Sequence, residues 1–300
     1  MEPAILTRGL TKRYGKARGI ESVDLEVRRG EVFGLLGPNG AGKTTTIRIL
    51  LDMLRPSAGE ASVLGLDPRR DGPSLRARVG YLPGEPGLAE RMGVGDQLRY
   101  FANLRGGVEW ARVEALAQRL DLDLAREVRA LSRGNKQKVG LVQAFMHEPD
   151  LLVLDEPTSG LDPLIQQRFN ALVRETAKRG ATVFLSSHVL PEVEALCDRV
   201  GIIREGRLVA VETMEGLKAR ALRRVDARFA TPPDLALLRD VPGVLEARVE
   251  GNHLRCAVRG ETGALVKALA RGDLVDLRVR DPTLEDVFLG FYGEEEPHAA

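Results

Sequence analysis

Two cysteines in 300 residues, Cys197 and Cys256, are too few for a disulfide framework or a tetrahedral metal site. An excess of one charge is missing as well. Forty-four basic side chains stand against 43 acidic ones, a formal net charge of +1, which leaves no broad electrostatic footprint for nucleic acid. No uncharged run reaches the ~18 residues that a membrane span requires. The longest candidates, residues 32–42 and 180–191, are broken by glycine or proline. The N-terminus, Met1-Glu2-Pro3-Ala4, has no basic region followed by an apolar stretch, so no secretory signal is expected. These absences point to a soluble, reduced, cytosolic chain, long enough for one large domain and a smaller one.

Apolar runs and helical patterns alternate over residues 1–221. Residues 31–36, 151–154 and 182–185 read as short buried strands, and residues 44–54 and 166–178 as helices. Strand–helix alternation of this kind predicts a largely parallel sheet covered by helices. Between the strands, a helical subdomain is expected at about residues 87–145, with helical patterns near residues 94–104 and 110–120. After residue 221 the pattern changes. Strands at residues 223–229, 244–250, 254–258 and 275–279, with helices at 233–239 and 262–270, give a β-α-β-β-α-β order that fits a ferredoxin-like module over residues 222–292. Residues 293–300 read as a frayed acidic tail.

Lysines are few, and Lys43 alone lies in a glycine-rich run. Gly37, Pro38, Asn39, Gly40, Ala41, Gly42, Lys43 and Thr44 match the phosphate-binding loop, with Thr45 next in the helix that follows. Glycines let such a loop curl so that successive backbone N–H groups face phosphate oxygens. Lys43 can then reach the β- and γ-phosphates, and the Thr44 hydroxyl can join a Mg²⁺ shell. The helix N-terminus adds its positive end. Binding of a nucleotide, with Mg²⁺, is the expected activity.

The run Leu151-Leu-Val-Leu-Asp155-Glu156-Pro157 is an apolar strand ending in two carboxylates. Asp155 suits a place beside Mg²⁺, through water, and Glu156 suits the orientation and deprotonation of an attacking water. His188 closes another strand run, Val183-Phe-Leu-Ser-Ser-His188, expected beside the acidic strand.

Leu131-Ser132-Arg133-Gly134-Asn135-Lys136-Gln137-Lys138 resembles the signature motif of ABC-transporter ATPases, and Ser159-Gly160-Leu161-Asp162 resembles that family's D-loop. The resemblance covers about residues 1–220. It implies an α/β fold, a P-loop ABC cassette with a helical subdomain, here followed by the small α+β module. It also implies a head-to-tail dimer of two copies that sandwiches two ATP molecules. Each ATP would meet the phosphate loop of one copy and Ser132 and Gly134 of the other, with Asp162 at the same interface, while Tyr14 would stack on adenine and His188 would assist near the γ-phosphate.

Three positions in two motifs depart from the family pattern. Arg133 and Asn135 stand where glycine and glutamine are usual, leaving Arg133 either near phosphate or facing solvent. In Val79-Gly-Tyr-Leu-Pro83-Gly84-Glu85-Pro86, Gly84 stands where a glutamine normally serves Mg²⁺ and water, so Glu85 or a water is expected to substitute. The signature and the Tyr-Leu-Pro-Gly-Glu loop are similar to those of ABC-2 type drug, antibiotic or lipid exporters. Residues 281–288 look like the ending of their accessory domain, with Leu284, Val287 and Phe288 as packing residues. The implied role is the motor subunit of an exporter at the cytoplasmic face of the membrane, with separate permease subunits docking near residues 84–92 and the helical subdomain, and no nucleic-acid partner. A soluble ABC-type ATPase and an import-type ATPase remain as alternatives.

Overall fold

The computed structural model describes residues 2–15, 17–220 and 222–280. The chain divides into two compact units, Met1–Glu212 and Thr213–Ala300.

The first unit opens with β1 (Ile5–Tyr14), β2 (Ala17–Val27) and β3 (Val32–Leu36). All five residues of β3 are buried, as expected of a strand covered on both faces. The glycine-rich loop leads into α1 (Lys43–Leu50), then β4 (Ala58–Val63), α2 (Gly72–Arg78) and β5 (Val79–Leu82). Helix α1 stops short of the expected residue 54. Asp52 takes a left-handed φ of 56°, and the Met53 and Leu54 N–H groups turn back to the Arg48 carbonyl. Helices α3 (Val94–Leu104), α4 (Trp110–Arg119) and α5 (Arg133–Phe145) follow. The unit is completed by β6 (Leu151–Asp155), α6 (Pro163–Lys178), β7 (Thr182–Ser187), α7 (Leu190–Leu196), β8 (Arg199–Arg204) and β9 (Arg207–Thr213).

The main sheet has the order β5-β6-β7-β3-β8-β9, and its first five strands are parallel. The pairs Leu36↔Ser187, Asp155↔Ser186 and Leu82↔Leu154 bring the carboxyl ends of β3, β7, β6 and β5 to one edge. Open α/β sheets bind ligands at such an edge. A second sheet, β2-β1-β4, is antiparallel. Its residues Ile5, Leu10, Ile20, Val23 and Leu25 share one core with Phe33, Leu35, Ile47 and Leu50. This sheet has no clean period-two signature in the sequence, because β1 carries register shifts and Gly9 at φ 55°, and β4 is exposed over its first half.

His147, just after α5, places its Nε2 3.3 Å from the Val79 carbonyl oxygen. Burial, and then the Arg105 guanidinium, push its pKa down from 6.5 to about 4. The unfolded chain therefore binds this proton more readily than the folded one. The His147 contribution to stability is complete above about pH 6.5 and declines as pH falls toward 4. Thermal unfolding across this window should show a shallower decline in His147→Gln than in the parent. Parallel curves would refute the assignment.

The second unit begins with α8 (Met214–Arg220) and builds a sheet from β10 (Arg223–Phe229), β11 (Val244–Glu250), β12 (His253–Val258) and, after α9 (Gly263–Leu269), β13 (Leu274–Arg280). The strand order is β11-β12-β10-β13, antiparallel throughout, which is the ferredoxin-like arrangement. The helix expected at 233–239 is reduced to a 3₁₀ turn, Leu235–Leu238. Pro232 and Pro233 precede it, and Pro242 keeps the chain from continuing as a helix. Val225, Phe229, Leu254, Cys256, Val258, Leu265 and Leu269 form the core. The predicted packing residues Leu284, Val287 and Phe288 and the tail 293–300 lie outside the described residues. Among the described residues, no helix is long and apolar enough to cross a membrane.

Candidate functional site

The loop between β3 and α1 is curled by Gly40 (φ 80°) and Gly42 (φ 109°). Space demands glycine too. A Cβ on Gly37 would stand 2.3 Å from the Ile203 carbonyl oxygen, and one on Gly42 would stand 2.6 Å from Ile20 Cγ2. Pro38, Asn39 and Gly40 form the exposed rim, Ala41 is buried, and Thr45 is half-buried in the first turn of α1. No side chain caps α1, and its first turn holds no acidic residue. Its N-terminal N–H groups and positive dipole end remain available to an anion.

Lys43 is buried, and its Nζ donates to the carbonyls of Gly37 (2.6 Å) and Pro38 (3.1 Å). It also stands 3.1 Å from Glu156 Oε1, a solvent-inaccessible oxygen that makes this ion pair but no hydrogen bond. Glu156 Oε2 lies 2.7 Å from His188 Nδ1. One residue earlier, buried Asp155 at the end of β6 accepts from Thr44 Oγ1 at 2.8 Å and from Ser186 Oγ at 2.6 Å. Asp155 and Glu156 reach different partners, and Glu156 has a left-handed φ of 49°. Ser186 Oγ also accepts the Glu156 N–H at 3.0 Å. Thus Lys43, Thr44, Asp155, Glu156 and His188, predicted from separate motifs, meet at the carboxyl edge of the sheet.

Thr44 and Asp155 present hard oxygen donors side by side, the donor type Mg²⁺ selects. No group of three or more His, Cys, Asp or Glu side chains able to hold a metal occurs among the described residues. The loop expected to carry a glutamine passes close by. A Cβ on Gly84 would lie 3.7 Å from Asp155 Oδ2, an ordinary contact, while Glu85 is exposed and makes no hydrogen bond or ion pair among the described residues. Tyr81, at the end of β5, has its pKa raised by burial and then by the Asp155 charge, with Arg48 opposing.

The remaining predicted residues lie outside this cluster. Tyr14, at the end of β1, is 44% exposed, with Lys12 Nζ 5.5 Å from its ring centre. Ser132 caps α5, accepting from the Asn135 N–H at 3.3 Å, and Asp162 caps α6, accepting from the Ile165 N–H at 3.0 Å. Gly134 packs so tightly that a Cβ would stand 2.2 Å from the Gly160 carbonyl oxygen. Arg133 Nη2 donates to Ser159 Oγ at 3.1 Å, so within this chain it reaches the D-loop-like segment. Two polar residues of the site had no role in the sequence reading. Ser186 was detectable only as a hydroxyl two residues before His188. Gln137 donates from Nε2 to the carbonyls of Glu156 (3.2 Å) and Pro157 (3.3 Å).

A buried lysine in a glycine loop, ahead of a helix and facing strand-end carboxylates, defines a phosphate-loop nucleotide-binding domain. Residues 20–159 match the ABC transporter family. The daunorubicin resistance ATP-binding protein DrrA3 of Streptomyces coeruleorubidus is 36% identical, over 98% of this chain and 97% of its own length. The probable multidrug ABC transporter ATP-binding protein YbhF of Escherichia coli (strain K12) is 37% identical over 73% of this chain, and the alignment spans only 39% of YbhF. A solved ATP-binding subunit of an ABC transporter superposes with a TM-score of 0.66 at 34% identity, covering 72% of this chain and 92% of that one. The chain belongs to the ABC transporter ATP-binding proteins, and its first unit is an ABC ATPase cassette.

Proposed function

We propose that the protein is the ATP-hydrolysing motor subunit of an export transporter, acting with separate membrane permease subunits. The observation that carries this reading is the pairing of Glu156 with both Lys43 and His188 beside the Thr44–Asp155 contact. In the proposed reaction, water attacks the γ-phosphorus of ATP as Glu156 accepts its proton. The bond to the β–γ bridging oxygen breaks, leaving ADP and phosphate. Lys43 leaves its loop carbonyls to bind phosphate oxygens, and His188 holds the Glu156 carboxylate in line. Mg²⁺, held by Thr44 and through water by Asp155, would neutralise phosphate charge.

In this reading, two copies associate head to tail. Ser132 and Gly134 of one copy, with Asp162 nearby, face the nucleotide on the phosphate loop of the other. The exposed Ser132 end of α5 supports that role: a helix N-terminus and a hydroxyl suit a γ-phosphate. Tyr14 is exposed enough to stack on adenine. Residues 1–221 would form the ATPase domain, with the helical subdomain at about 87–145, and residues 222–292 the accessory domain. Permease docking is assigned to residues 84–92 and α3, where Tyr100 and Leu104 expose their apolar side chains. The chain would then work at the cytoplasmic face of the membrane, without nucleic acid. The names of DrrA3 and YbhF support the assignment to drug transport.

Two measurements test this function. The purified chain should hydrolyse ATP only with Mg²⁺ present, and it should be retained on its tagged, detergent-solubilised permease. Turnover without retention would favour the soluble ATPase. Glu85, the carboxylate next to Gly84, should matter as well. Glu85→Ala is expected to lower turnover or its stimulation by the permease several-fold, and no change in either would show that Glu85 does not replace the missing glutamine.

A further inference from the structure

Helix α5 begins at the Ser132 cap, yet its first turn and a half also grips the segment that carries Glu156. Arg133 reaches Ser159, Gly134 rests on the Gly160 carbonyl, and Gln137 reaches the carbonyls of Glu156 and Pro157. Gln137 is 2% exposed, and its amide nitrogen donates outside its own helix, to the carbonyls after β6. A buried amide donating to two successive carbonyls fixes the orientation of the peptide between them. On the other side of Glu156, Ser186 holds the N–H. Between these two anchors Glu156 takes a φ of 49°, a left-handed conformation uncommon for a non-glycine residue.

We infer that Gln137 is a positioning residue for ATP hydrolysis. It aims the Glu156 carboxylate by fixing the Glu156–Pro157 peptide, and it makes that aim follow the position of α5. The inference rests on the reading of Glu156 as the base. Because Ser132 opens the same helix, contact of Ser132 with one nucleotide would be transmitted through Gln137 to the Glu156 that acts on the other. Arg133 and Gly134 hold the adjoining residues to the same helix, so the two ends move as one piece.

Gln137→Met keeps the length of the side chain and removes the donor. In the full chain it should lower kcat by roughly tenfold to a hundredfold, the effect of a modest misplacement of a reacting group. KM for MgATP and nucleotide affinity should stay within about twofold of the parent. An unchanged kcat, or a loss carried by KM and affinity, overturns the inference. If the methionine variant folds poorly, Gln137→Glu decides. A neutral carboxyl can donate where a carboxylate cannot, so its turnover relative to the parent should recover as pH is lowered from about 8 to about 6. A deficit equal at both ends of that range also overturns it. Glu156→Gln, assayed alongside, separates the two ideas. If that variant keeps its turnover, the reading of Glu156 fails. If it loses turnover while Gln137→Met does not, only the role of Gln137 fails.

Discussion

Glu156→Gln should lower ATP turnover by about 10²–10⁴-fold, the usual worth of a general base, while leaving ATP bound. The amide preserves the shape of the side chain and can still meet His188, but it cannot accept a proton from water. The substitution also removes the negative charge 3.1 Å from Lys43. An unpaired, nearly buried lysine then favours an anionic partner more strongly, and phosphate provides one. The expected product is an ATP-loaded protein that closes with a second copy and does not reopen. Gel filtration with ATP and Mg²⁺ should show the variant at twice the parent mass. Undiminished turnover would remove Glu156 from the chemistry, and a persistent monomer would count against the sandwich arrangement.

Lys43→Ala should abolish measurable nucleotide binding. Charge-assisted hydrogen bonds contribute about 1.5–3 kcal/mol each, so the loss of two to phosphate oxygens weakens affinity by about 10²–10⁴-fold. A stability cost accompanies it, because the ammonium also serves two loop carbonyls and is the ion-pair partner of a solvent-inaccessible oxygen of Glu156. Leaving such groups unpaired costs about 1–3 kcal/mol. Titration with a fluorescent ATP analogue measures the first effect and denaturant unfolding the second. Binding within tenfold of the parent would contradict the assignment of Lys43 to the phosphates.

Several features were legible without coordinates because their causes are local. The phosphate loop is a run of adjacent residues whose glycines and lysine serve one tight turn. β3, β6 and β7 are continuous apolar runs because both faces of a parallel sheet are covered. The four strands of the second unit were also visible, since each is short and bounded by turn residues. The β1–β2–β4 sheet was hidden, because bulges and half-exposed strands blur a period of two.

Motif order along the chain determined which residues could take part: the lysine, the hydroxyl, the two carboxylates and the histidine. Only the tertiary structure decided how they meet. The register Asp155↔Ser186 sets a serine against Asp155 and the Glu156 N–H, and the packing of α5 brings Gln137 to the peptide after Glu156. The same packing turned Arg133, open between phosphate and solvent in the sequence, toward Ser159. Residues 19 to 31 positions apart make these contacts through strand register and helix docking, and neither is encoded in the spacing of a motif. The sequence by itself thus named the chemistry, while long-range packing supplied the groups that aim it.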